Sequence, residues 1–150
     1  MRIAFESPDQ DDVRALLAEL DAYLYSLYPA ECVYALDIAS LTQSEVLFAV
    51  ARYADGIPLG CGAIVMQAAY GEVKRIYVRP RARGQGLARR LMETLEAGAG
   101  ERGCRTFMLE SGPMQQEALI LYERTGYRYR GPFGDYPEDP HSVFMQKDAC

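Results

Sequence analysis

Glu72-Val73-Lys74-Arg75-Ile76-Tyr77-Val78-Arg79-Pro80-Arg81-Ala82-Arg83-Gly84-Gln85-Gly86-Leu87-Ala88 runs from a β-rich segment, through a basic glycine loop, into a helical pattern. Glycines tolerate positive φ, so Gly84 and Gly86 can turn successive backbone N–H groups toward one anion. A helix starting near Gly84 adds its unpaired N–H groups and the positive end of its dipole. Arg79, Arg81 and Arg83 add charge, and the combination suits a pyrophosphate. Two familiar glycine-loop patterns do not fit. The Walker pattern needs Lys-Ser or Lys-Thr after its last glycine, and the dinucleotide fingerprint needs a third glycine and a later ribose-binding acid.

Outward from this stretch the chain alternates strands and helices. Arg2 to Glu6 reads as a first strand, and Ser7-Pro8 as a helix opening, followed by the apolar stripe Val13, Leu16, Leu17 and Leu20. A second helical piece spans Tyr23 to Leu27, before Pro29. Val46 to Tyr53 and Pro58 to Val65 form a hairpin around Ala54-Asp55-Gly56. Glu72 to Val78 is the fourth strand. A helix over Gly84 to Ala99 carries Leu87, Leu91 and Leu95 on one face and ends among Gly98, Gly100 and Gly103. The strand Arg105 to Glu110, the short helix Gln115 to Arg124, the strand Tyr127 to Arg130 and the strand Ser142 to Lys147 follow. With no repeat or interior linker, residues 1–150 read as one α/β (α+β) domain with a sheet layered by helices.

Composition sets outer limits. The chain has 150 residues, 49% of them hydrophobic, enough for one sizeable core. A net charge of -5 argues against general nucleic-acid binding, yet Lys74, Arg75, Arg79, Arg81, Arg83, Arg89 and Arg90 concentrate positive charge in one place. The run from Val13 to Leu27 is broken by Arg14, Glu19 and Asp21 and is no membrane span. No segment looks like a signal peptide. Cys32, Cys61, Cys104 and Cys150 are spaced like no zinc site, and His141 is the only histidine, so no metal site is expected. A reducing, cytoplasmic location is the simplest account of these thiols.

At Arg81, Gly84 and Gly86, after the strand end Val78-Arg79-Pro80, the sequence resembles the GNAT superfamily of N-acetyltransferases. Leu121-Tyr122-Glu123-Arg124-Thr125-Gly126-Tyr127, following Leu109-Glu110-Ser111, is similar to the superfamily's second recognisable stretch, and Val50 to Gly62 to its preceding hairpin. The resemblance implies a central mixed, twisted sheet, flanked by helices on both faces and splayed between its fourth and fifth strands. It implies acetyl-CoA as cosubstrate. The pyrophosphate would lie on backbone N–H groups of Ala82, Arg83, Gly84, Gln85, Gly86 and Leu87, near Arg81 and Ala88, and the pantetheine would pair with the fourth strand at Ile76 and Val78. Many members carry Asn where this chain has Gln115, which offers the same amide on a longer arm.

Acetyl transfer from a thioester to an amine needs a neutral amine, a stabilised oxyanion and a stabilised leaving thiolate. The resemblance makes Tyr122 the candidate acid, since its unperturbed pKa of about 10 is close to that of an alkyl thiol. It makes Glu72 the candidate base. A carboxylate of ordinary pKa about 4.3 needs burial to work efficiently there, and an ion pair with Lys74 or Arg75 is the competing role. The Ile76 N–H is the candidate oxyanion donor. The expected acceptor is a primary amine of a small molecule. Tyr23, Tyr28, Arg52, Tyr136 and His141 are candidate contacts, and Arg52, Lys74 or Arg75 could pair with an acceptor carboxylate. Superfamily resemblance leaves monomer and homodimer both open. Protein or peptide acetylation, and CoA binding without catalysis, are the alternative classes.

Overall fold

A computed structural model describes residues 1–149; Cys150, read above with the other cysteines, lies outside the described residues. The elements are β1 (Arg2–Phe5), α1 (Asp11–Leu27), α2 (Ile38–Leu41), β2 (Val46–Arg52), β3 (Pro58–Met66), β4 (Gly71–Val78), α3 (Leu87–Glu101), β5 (Thr106–Ser111), α4 (Gln116–Arg124), β6 (Arg128–Arg130) and β7 (Val143–Asp148). Single 3-10 turns at Ala30–Cys32 and Pro80–Ala82 complete them. The strands form one seven-stranded sheet in the order β1-β2-β3-β4-β5-β7-β6. Only β4 and β5 run parallel; the other neighbours are antiparallel.

Strand β2 shows why helices cover both faces. It is apolar at successive positions, as a strand buried on both sides must be. Leu47, Ala49 and Ala51 join the core under α3, while Phe48 and Val50 join the core under α1. The α1 stripe Val13, Leu16, Leu17 and Leu20 is 0–4% exposed against the second of these cores. Leu91 and Leu95 of α3 are fully buried in the first, together with Tyr122 and Tyr127.

Helix boundaries moved for local reasons. Ser7-Pro8 does not open α1: Ser7 Oγ accepts the Asp9 N–H and Pro8 O accepts the Gln10 N–H, making a turn that delays the helix to Asp11. No breaker falls between Leu20 and Tyr23, so α1 continues unbroken to Leu27. Helix α3 starts at Leu87 rather than Gly84 because Gly84 and Gly86 hold φ of 78° and 76°, outside the helical range. It continues past Gly98, whose missing Cβ admits the Phe5 ring; a Cβ there would sit 2.6 Å from Phe5 Cζ. The alternation of β4 is interrupted. Cys61 pairs with Tyr77 and Ala63 with Lys74, so Arg75 and Ile76 both stand opposite Gly62 as a bulge. Arg75 carries φ 62°, the one positive φ outside glycine among the described residues. Its guanidinium consequently reaches Asp21 of α1, on the same side as Lys74. No helix among the described residues is long and apolar enough to cross a membrane.

Leu95 is fully enclosed between α3 and the sheet. Leu95→Ala should cost about 2–5 kcal/mol of unfolding free energy, through lost transfer and a residual cavity. A urea titration giving less than about 1 kcal/mol would show that this core collapses freely around the deletion.

Candidate active site

The site begins where β4 and β5 part. Their parallel pairing covers Gly71↔Phe107, Glu72↔Met108 and Val73↔Leu109, and then stops. Beyond Val73 the edge of β4 facing β5 has no strand partner, as the resemblance implied. Two cavities occupy the opening.

The larger, about 560 Å³, runs along the groove between β4 with its following loop and α4. One bank is Ile76, Val78, Ala82, Arg83, Gly84 and Gly86, leading to Leu87 and Ala88 at the start of α3. Gly86 caps α3 in a left-handed conformation with no side-chain hydrogen bond, leaving the first-turn N–H groups free. A Cβ built on Gly84 or Gly86 would meet nothing within 4 Å, so the cradle is open on its outer side. Exposed amides at a helix start, beside Arg83, match what a pyrophosphate requires. Arg83 Nε is anchored on Val78 O at 2.9 Å. Arg81 turns away, its guanidinium 5.6 Å from the Tyr53 ring centre, and neither Arg81 nor Gln85 lines the groove.

The smaller cavity, about 80 Å³, lies on the α1 side, enclosed by the end of α1, residues 32–35, β4, β5 and His141. Leu20, Ile76, Gln115 and Tyr122 line both cavities and form the wall between them. Tyr122 is 7% exposed. Burial pushes its phenol pKa up, with the nearby Glu110 charge adding to the shift, so the hydroxyl keeps its proton. Tyr28 fastens the wall. Its hydroxyl accepts the Met114 N–H at 3.1 Å and donates to Gln115 Oε1 at 3.3 Å. Its ring fills the space over Gly112, where a Cβ would come within 2.0 Å of the hydroxyl oxygen.

Glu72 lies in the paired part of β4, buried, and lines neither cavity. Its carboxylate accepts from Lys74 Nζ at 3.3 Å and from the Tyr136 hydroxyl. Glu110, which the sequence reading passed over as a strand-end residue, lines the smaller cavity. Burial raises its pKa to about 7; Ser142 and Lys74 oppose the shift, while Glu72 and Asp139 add to it. Ser142 lies beside it, yet its buried Oγ meets no partner at hydrogen-bonding geometry.

The candidate acceptor contacts divide. Tyr28 and His141 line the smaller cavity, packed edge to face at 6.3 Å, and Tyr23 lines the groove. Tyr136 bonds Glu72 and Lys74 instead of lining either cavity. Arg52 belongs elsewhere: Glu6 and Asp12 hold it at 2.9 and 2.7 Å beside the β2–β3 turn. Each of the three cations offered to an acceptor carboxylate has a partner inside the protein, Arg75 with Asp21 at 2.6 Å and Lys74 with Glu72.

Comparison with known proteins agrees with this geometry. The Acetyltransferase (GNAT) family model matches residues 13–127. A protein of Azospirillum brasilense named IAA acetyltransferase is 47% identical over 147 residues, covering 97% of this chain and 95% of the relative. A Bacillus subtilis protein named uncharacterized N-acetyltransferase YsnE is 33% identical over 140 residues, covering 89% of this chain and 92% of the relative. The crystal structure of a Klebsiella pneumoniae protein assigned as an acyl-CoA N-acyltransferase superposes with a TM-score of 0.85 at 38% identity, over 99% of this chain and 97% of that one. The PaiA N-acetyltransferase of Thermoplasma acidophilum, solved with coenzyme A, shares the fold at a TM-score of 0.73 and 17% identity, over 99% of each chain. A matched family model, full-length relatives and a split sheet with an amide-lined groove leave one assignment: the chain belongs to the acetyltransferase (GNAT) family and is an acetyl-CoA-dependent N-acetyltransferase.

Proposed function

We propose that the groove seats acetyl-CoA, that the smaller cavity seats a small-molecule primary amine, and that Tyr122 and Glu110 serve the transfer from opposite sides of the shared wall. The observation carrying this reading is that Tyr122 lines both cavities while Glu110 lines only the acceptor side. The Ala82 and Arg83 N–H groups, expected in the cradle, are spent on Arg79 O and Pro80 O, so the free N–H groups from Gly84 to Ala88 take the pyrophosphate. The unpaired edge of β4 at Ile76 and Val78 takes the pantetheine as an added strand. Gln115, on the wall, presents its amide to the arm near the thioester.

The amine arrives as an ammonium. Glu110, with a pKa of about 7, accepts one proton from it and leaves the nitrogen lone pair free. That nitrogen attacks the thioester carbon, and the oxyanion falls to the Ile76 N–H. Collapse breaks the C–S bond and expels the thiolate beside Tyr122, and the second nitrogen proton passes to that thiolate, leaving the neutral amide and the coenzyme thiol. The raised phenol pKa makes complete proton transfer uphill against an ordinary thiol, so Tyr122 acts chiefly by donating a hydrogen bond to sulfur as charge develops. Glu72 remains the rival base. Its contacts with Lys74 and Tyr136 support a holding role instead.

The relative at 47% identity carries IAA in its name, so IAA belongs among the acceptors screened. Turnover of IAA above simple amines would redirect the acceptor assignment.

Three measurements bear on this reading. Gly84→Val places a β-branched residue at φ 78°, and calorimetry should show acetyl-CoA affinity reduced at least about ten-fold; unchanged affinity in a folded variant removes the loop from the cosubstrate site. Tyr122→Phe should bind acetyl-CoA normally and lose roughly 10²-fold in kcat and kcat/KM together. Equal kcat, with chemistry rate-limiting, would make Tyr122 a packing residue only. Because deprotonated Glu110 is the active form, kcat/KM should rise with pH through about 7 in the wild type. Glu110→Gln should remove that limb and Glu72→Gln should keep it; the reverse pattern would assign the base to Glu72.

A further inference from the structure

Taking the smaller cavity as the acceptor site, its charges and size narrow what can enter. The charged groups lining it are Lys74 and Arg75 from β4 and Glu110 from β5; Asp139, in the segment before β7, acts on Glu110 without lining the cavity, and Glu72 and Asp21 stand behind the two cations. Lys74 is committed to Glu72 at 3.3 Å and the Tyr136 hydroxyl at 2.8 Å, with 11% of its side chain exposed. Arg75 has 5% of its side chain exposed and donates to Asp21 at 2.6 Å. Its Nε is buried without a partner and presents almost no surface to an incoming group. The carboxylates are less fully matched. No cation lies within ion-pair distance of Glu110 among the described residues. Asp139 is satisfied only by neutral donors, the His141 N–H at 2.7 Å and Cys32 Sγ at 3.2 Å. An entering carboxylate would therefore meet Glu110 and would have to compete with Glu72 and Asp21 for the two lining cations, whereas an ammonium would meet Glu110 directly.

Size points the same way. About 80 Å³ is roughly half the volume of a dry cavity that accepts benzene, which is about 150 Å³. Such a space takes a narrow chain end. Its apolar lining comes from Leu20 and Leu24 of α1, Val33 and the Tyr34 ring. A carboxyl group on the carbon bearing the amine would add both bulk and negative charge beside Glu110.

We infer that the acceptor is a slender alkylammonium, a primary amine on an unbranched carbon without a neighbouring carboxylate, in preference to an α-amino acid. The inference rests on the acceptor reading of this cavity. The test compares decarboxylated pairs with the full chain and saturating acetyl-CoA, following free-thiol release: pentylamine against norleucine, and butylamine against norvaline. Like charges brought together in a desolvated site cost several kcal/mol, so each amine should exceed its amino acid in kcat/KM by at least about ten-fold. An amino acid equal to or better than its amine in either pair overturns the inference. So does turnover of none of the four by a protein that calorimetry shows to bind acetyl-CoA, a result that leaves the cosubstrate reading standing. Failure to bind acetyl-CoA would instead sink the proposed function, and this inference with it.

Discussion

The short contact between β4 and β5 is the constraint on which the site depends. Parallel strands that paired along their full length would seal the sheet. These two pair for three residues and then diverge, leaving backbone groups of β4 without a partner on that side. Unpaired backbone polar groups are costly to bury and are useful where a ligand supplies the missing bonds. The bulge at Arg75 acts on the same strand. It places two residues against Gly62, which has room for none: a Cβ there would lie 2.4 Å from Ile76 Cδ1. The bulge re-aims Arg75 toward α1 and leaves Ile76 on the wall that both cavities share.

Much of this was legible because the signals are local. The α3 stripe, the hairpin around Ala54-Asp55-Gly56 and the glycine loop each declare themselves within a few residues. Gly84 and Gly86 take the positive φ that glycines allow, and those same values exclude them from the helix. The rest depended on distant neighbours. Nothing beside Arg75 in sequence announces a left-handed conformation, and its partner Asp21 is 54 residues away. Glu110 sat unremarked in Leu109-Glu110-Ser111 because its environment comes from α1, the segment after it and the approach to β7. The alternating pattern of β5 offered a signal: Glu110 shares a face with Met108, which pairs with Glu72. The short helix α2 was missed because its cue is one Asp37 cap on the Ser40 N–H, at 2.8 Å.

Burial explains how two ordinary ionisable groups take complementary states. Glu110 and Tyr122 are both shifted upward chiefly by loss of water. The same cause suits a carboxylate to accept a proton near neutrality and a phenol to retain one. An aromatic cluster backs the arrangement, with Tyr34, Phe133 and Phe144 packed against Tyr136 at centroid distances of 5.0–5.5 Å. Through Tyr136 that cluster holds the Glu72–Lys74 pair at the closed end of the cleft.

The ring of Tyr28 over Gly112 makes the two positions exchange volume. Replacing Tyr28 with Phe would free little room, because the ring carbon bearing the hydroxyl already lies 2.2 Å from where a Cβ at 112 would stand. A side chain at 112 becomes possible only when the whole ring is given up, and with it the bonds to Met114 and Gln115. The end of α1 and the turn into α4 therefore have to diverge together: a sequence that changes one must change the other, and the wall between donor and acceptor is rebuilt in a single step.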